Sequence, residues 1–181
     1  MTKYAKIMAT FGVLAGLGVA SLPLATFAAN ESETTVKVTV QEGISFSNSG
    51  TTADAGSKTP GETGSATSNL TAATNNANGL KITVKDKDED TSLKAASITG
   101  TTAGVDFIAA GVSGAGTWSL KGGDLTVDTA MVASSHATGL VVKNTTGPST
   151  VNVPVTYRIE PGAAQRQGTY EDVIVYTVAK N

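Results

Sequence analysis

Cysteine is absent from the sequence, histidine and tryptophan occur once each, and aromatic residues fill only 5 % of the 181 positions. Without cysteine the chain can form no disulfide, no thiolate metal site and no lipid-modified lipoprotein terminus. A lone histidine leaves any metal site to carboxylates, which are hard oxygen ligands suited to calcium rather than zinc. Charge is scarce too. Lys and Arg number 13 against 15 Asp and Glu, a formal net charge of -2 with no basic cluster. Phosphate binding needs clustered cations to release counterions, so the reading expects no nucleic-acid partner. So few aromatics also leave little material for a large carbohydrate groove.

Only one long apolar run is present. Lys3 and Lys6 precede an apolar stretch over residues 7–24, and the segment closes on Thr26-Phe27-Ala28-Ala29. A charged start, an apolar middle and small residues at the end make a secretory signal peptide, residues 1–29, with cleavage expected after Ala28 or Ala29. An uncleaved membrane anchor is the competing reading, opposed by Gly12, Gly16, Gly18 and Pro23, which weaken a helix. The chain's membrane contact is then confined to this segment before cleavage. About 150 residues remain, enough for a single domain with its own core over residues 30–181.

Beyond the leader, apolar residues recur with a period of two, the signature of half-buried strands. Residues 34–40 read Thr-Thr-Val-Lys-Val-Thr-Val, with Val36, Val38 and Val40 on one face. Ile44 and Phe46 continue that pattern after Gly43. Residues 47–68 are rich in Ser, Thr, Gly, Ala and Pro and are expected to form a flexible loop. A strand over residues 69–74, the turn Asn75-Asn76-Ala77-Asn78-Gly79 and a return strand over residues 79–85 predict a hairpin. Shorter apolar clusters follow at residues 105–110, 118–120, 125–127 and 140–142, with one helical turn expected near residues 129–135. A long strand spans residues 151–160, where Pro154 implies an edge position or a bulge. The closing strand, residues 169–179, is apolar on both faces, so it belongs in the middle of a sheet or beneath another element or chain. About eight strands of this kind predict an all-β, two-layer antiparallel sandwich of immunoglobulin-like type, with a β-barrel as the alternative.

Residue types able to do chemistry are few. His136 lies in Ser134-Ser135-His136-Ala137, yet no Gly-x-Ser-x-Gly elbow surrounds any serine, and an exposed loop histidine is the expectation. Asp106 and Asp124 are the remaining carboxylate pair to weigh, and a pair works only at a defined separation. Asp86, Asp88 and Asp90 share the spacing that opens a calcium loop. Thr91 stands where that loop needs glycine and Ser97 where it needs its closing glutamate, so a solvated acidic connection competes with calcium binding. Trp118 is either a core anchor or a platform for a sugar ring. No catalytic residue and no cofactor is assigned.

Trp118-Ser119-Leu120 resembles the Trp-x-Leu signature of the WxL surface-domain family of Gram-positive bacteria. The strand Leu80-Lys81-Ile82-Thr83-Val84-Lys85-Asp86 resembles the one that precedes it there. Gly168-Thr169-Tyr170 and the alternating strand after it are similar to that family's closing segment and to the last strand of secreted immunoglobulin-like and fimbrial subunits. The resemblance covers residues 69–181. It implies a signal-bearing, non-catalytic β-sandwich that associates with peptidoglycan or with other surface proteins, and it carries over Trp118 and Leu120 as binding residues. The family's second Trp-x-Leu is replaced by Val175-Tyr176-Thr177-Val178, so Tyr176 stands where the second tryptophan would. The sequence therefore leads to a secreted or cell-surface structural or adhesion module that self-associates through strand edges, with a cell-wall or carbohydrate-binding module as the alternative.

Overall fold

A computed structural model describes residues 34–181 of the chain, so the reading of residues 1–29 as a leader lies outside the described residues. The chain divides into two units, Met1–Thr39 and Val40–Asn181. Residues 34–39, the described part of the first, carry no regular structure and are exposed.

In the second unit, alternation with a period of two builds ten strands and no helix among the described residues. They are β1 (Ile44–Asn48), β2 (Gly64–Thr74), β3 (Leu80–Asp86), β4 (Leu93–Lys94), β5 (Phe107–Ala110), β6 (Thr117–Gly122), β7 (Leu125–Thr129), β8 (Leu140–Asn144), β9 (Ser149–Glu160) and β10 (Ile174–Lys180). Seven of them form a large sheet in the order β1-β2-β9-β6-β5-β4, with β7 also paired to β6, and three form a small sheet, β10-β3-β8. The two-layer all-β expectation holds. Two details of it change: the strands number ten, and β5 runs parallel to β6 where every pair was expected antiparallel.

The core lies between the sheets. Leu80, Ile82 and Val84 from β3 and Val142 from β8 face Leu70 and Ala72 from β2, Val153, Val155 and Tyr157 from β9, and Trp118 and Leu120 from β6. These side chains alternate with exposed or half-exposed ones along β2, β3 and β9, as burial of one sheet face requires.

Several local expectations are corrected. Residues 34–40 form no strand, because no neighbouring backbone pairs with them; Val36, Val38 and Val40 are 92 %, 83 % and 77 % exposed. The expected loop over residues 47–68 is shorter at both ends, since β1 runs to Asn48 and β2 begins at Gly64. β2 pairs along its whole length with β9, from Gly64↔Ile159 to Thr74↔Ser149. Its inward row starts with Gly64, Ala66 and Ser68, so the alternation is carried there by small side chains rather than large apolar ones. The Asn75 to Gly79 turn is real but makes no hairpin: β2 and β3 belong to different sheets, and the turn carries the chain across the sandwich. Gly79 serves that crossing, with φ of 86° and a Cα so close to the Thr145 carbonyl that a Cβ would collide with it. Residues 129–135 hold a turn and no helix.

β9 occupies a central position, contrary to the edge or bulge expected from Pro154. That residue pairs with Asn69 of β2, and on its other side lies one residue beyond the last β6 pair, Gly122↔Val155. Its missing N–H thus faces a point where the ladder has already ended. The last strand, conversely, is not in mid-sheet. Among the described residues, β10 forms an edge of the small sheet, paired only with β3.

Candidate functional site

The residues expected to bind ligands are mostly core. Trp118 is 3 % exposed, sits on β6 beside Ile159 of β9, and donates its indole N–H to the Thr91 carbonyl at 2.8 Å. Leu120 is fully buried two residues on. Neither presents a surface to a sugar or wall polymer, because alternation on β6 sends both into the sandwich. Tyr176 on β10 is half-buried, and its hydroxyl lies 2.7 Å from that of Tyr157, which in turn accepts from Ser68 at 3.3 Å. Burial, and then the neighbouring Tyr157, push the Tyr176 phenol well above the usual tyrosine range.

The acidic run is a chain of turns. Asp86 accepts the Asp88 N–H at 2.9 Å, Asp88 accepts the Asp90 N–H at 2.7 Å, and Asp90 accepts the Ser92 N–H at 3.1 Å. Each carboxylate thus satisfies a backbone donor two residues ahead, the Asx pattern that favours turns. Asp90 also pairs with Lys94, and that bond holds its carboxyl below the usual range. Among the described residues, no three His, Cys, Asp or Glu side chains are placed to hold a metal ion. Asp86, Asp88 and Asp90 are therefore not brought together as a calcium set: Asp86 is buried at the last position of β3, and the turns that follow leave Asp88 and Asp90 exposed.

Asp86 is nonetheless unusual. It is buried at the end of β3, its Oδ2 has no donor, and it faces Asp172, whose Oδ2 is likewise buried without one. Burial, and then the contact with Asp86, push the Asp172 carboxyl up to about 7. A proton shared between the two oxygens satisfies both.

The remaining candidates are engaged elsewhere. His136 is exposed, and its Nδ1 accepts the Gly139 N–H at 3.1 Å. Ser134 and Ser135 both donate to Glu89 rather than to His136. Asp106 is paired with Arg166 at 2.9 Å, whereas Asp124 is paired with Lys143 at 2.6 Å and accepts the Asn144 N–H at 2.7 Å.

Among the described residues, the feature left without a partner is the margin of the sandwich between β1 and β10. Lys87 N–H donates to the Val173 carbonyl and Asn181 N–H to that of Gly79, which sets the phase of the β10 ladder. Val175, Thr177 and Ala179 then turn their N–H and C=O groups to β3, while Ile174, Tyr176 and Val178 turn theirs outward. Bonds from Asn75 N–H to Gly43 and from Ser49 N–H to Asn69 set the phase of β1 in the same way. There Ile44 and Phe46 present their backbone groups outward. The two lips meet at one end, where Lys180 Nζ lies 2.9 Å from Glu42 Oε2. Between them Phe46, Ile174, Tyr176 and Val178 pack against the core only partly.

The opposite margin is closed. There the Asp124 N–H donates to the Val142 carbonyl at 2.7 Å, and the Asp124 carboxylate holds Lys143 and the Asn144 N–H. No backbone hydrogen bond joins β1 to β10 among the described residues. Sequence reading missed this site because its residues lie far apart in the chain. The available signal was the strand apolar on both faces at the end of the sequence.

Compared with known proteins, the chain matches no family model and no curated protein.

Proposed function

We propose that this protein is an exported, non-catalytic module of structural or adhesive type that joins other surface proteins, a second copy included, by accepting a strand at the β10 edge. The observation that carries this reading is the outward row of N–H and C=O groups on Ile174, Tyr176 and Val178, set above half-buried apolar side chains. Native sheets protect their edges with charge, proline or a cover, because a bare edge pairs with another chain. β10 carries neither charge nor proline until Lys180. Its outer face adds to the exposure, with Val175 40 % exposed and Val173, just before the strand, 55 % exposed. The surface setting rests on the signal-like residues 1–29, and the resemblance to surface and fimbrial domains agrees with it. The burial of Trp118 favours association with protein over stacking on wall sugars.

Sedimentation of the protein purified from an exporting host tests this. Self-association, or binding to the surface of its own cells, is expected for the natural chain and is lost in Val178→Pro. That change removes a donor facing the open edge and leaves the β3 ladder its bonds. A natural protein that stays monomeric at high concentration and binds no cell surface overturns the reading.

A further inference from the structure

Building on that reading, we infer that residues 34–40 of one copy are the strand that fills the β10 edge of the next. Six of these seven residues are β-branched, and the seventh is Lys37. Such a composition favours extended backbone. Val36, Val38 and Val40 lie on one face of that extended chain, and all three stand open to water. Lys37 and Thr39 lie on the other. The segment therefore has the pattern of a half-buried strand and lacks the sheet to complete it.

The acceptor has the reciprocal features. β10 is seven residues long, matching residues 34–40 in length. Its outward backbone groups belong to Ile174, Tyr176 and Val178, the residues whose side chains face the core and stay partly uncovered. A strand laid there continues the pleat, and the register that pairs its valines with Ile174, Tyr176 and Val178 puts all of these side chains on the core face, where burial of apolar surface favours it. The valines then meet Phe46 on the facing lip. Backbone bonds hold the added strand, and the alternate pockets select valine-sized side chains, as in strand addition generally. Lys37 and Thr39 stay in solvent, beside the exposed outer row of β10, Val175, Thr177 and Ala179.

Each copy has one donor segment and one acceptor edge, so the contact is head-to-tail. Such contacts give rings when the rotation closes and open filaments when it does not. If the leader is cut after Ala28 or Ala29, the donor lies within a few residues of the new chain start, free to reach a neighbour.

Two variants separate donor from acceptor. Val36→Asp/Val38→Asp/Val40→Asp ruins the donor at positions already exposed in the single chain, so the fold is untouched. Val178→Pro ruins the acceptor, and circular dichroism with a melting curve checks that it folds. Each variant alone is expected to be monomeric. Mixed together they should form a one-to-one pair, since the proline variant still donates and the aspartate variant still accepts. Persistent assembly of the aspartate variant, with loss in the proline variant, overturns this inference and leaves edge association standing. A mixture that stays monomeric also overturns it. Undiminished assembly of a folded proline variant overturns both.

Discussion

At the scale of single residues, the most informative group is the facing pair Asp86 and Asp172. A buried carboxylate oxygen without a donor is costly, and two such oxygens side by side are tolerable only when a proton lies between. The Asp172 carboxyl, raised to about 7 by burial and by Asp86, binds that proton more tightly in the folded chain than in the unfolded one. Its stabilisation is therefore whole below the ordinary carboxyl range and is lost as pH rises through about 7. Asp172→Asn keeps a donor facing Asp86 at every pH. Urea midpoints measured from pH 4 to pH 9, about the span of that titration, should show the natural protein losing stability relative to the variant as the solution becomes alkaline. A variant that is the less stable at the alkaline end would show that no proton is shared. Asp86 stood out in the sequence as part of an alternating acidic run, and that run does make consecutive Asx turns. Its burial and its partner were not legible, because Asp172 is brought beside it only by the pairing of β10 with β3.

At the scale of elements, β2 shows why apolar content alone underestimates strands. Gly64, Ala66, Ser68, Leu70 and Ala72 alternate with Ser65, Thr67, Asn69 and Thr71, and the inward row is small because the full length of β9 lies beside it and the small sheet lies across from it. Ala72, almost fully buried, has no room to grow. Ala72→Leu should cost about 1–3 kcal/mol through forced displacement of its neighbours. Thr71→Leu, on the exposed face, should change stability by less than about 0.5 kcal/mol. Equal effects in chemical denaturation would mean that the two faces of β2 are not distinct. Pro154 teaches the converse lesson. A proline can sit within a central strand when its N–H would face a gap left by a departing neighbour, and the Gly122 to Gly123 turn of β6 leaves such a gap. Nothing local to residues 151–160 announces that gap.

At the scale of the whole molecule, the sandwich is closed along one margin by Asp124 and its partners and, among the described residues, open along the other between β1 and β10. Core side chains at the open margin remain half-buried, so the folded single chain retains apolar surface and backbone groups still to be satisfied. If neighbours supply the missing strand, assembly is linked to folding by mass action. The melting temperature should then rise with protein concentration, and that rise should vanish in Val36→Asp/Val38→Asp/Val40→Asp. A concentration-independent melting curve for the natural protein would count against the linkage.

Residues alone determined the class of fold, since a period of two in side-chain character, with no sustained helical period, leaves only paired sheets to bury one face. They also determined that disulfides are impossible, since the sequence holds no cysteine. Tertiary structure decided the rest: which strands share a sheet, that Trp118 and Leu120 face inward, and that the final strand lies at an edge. Those outcomes depend on contacts between segments distant in the chain, and a local pattern that fits either a central strand or a bare edge cannot choose between them.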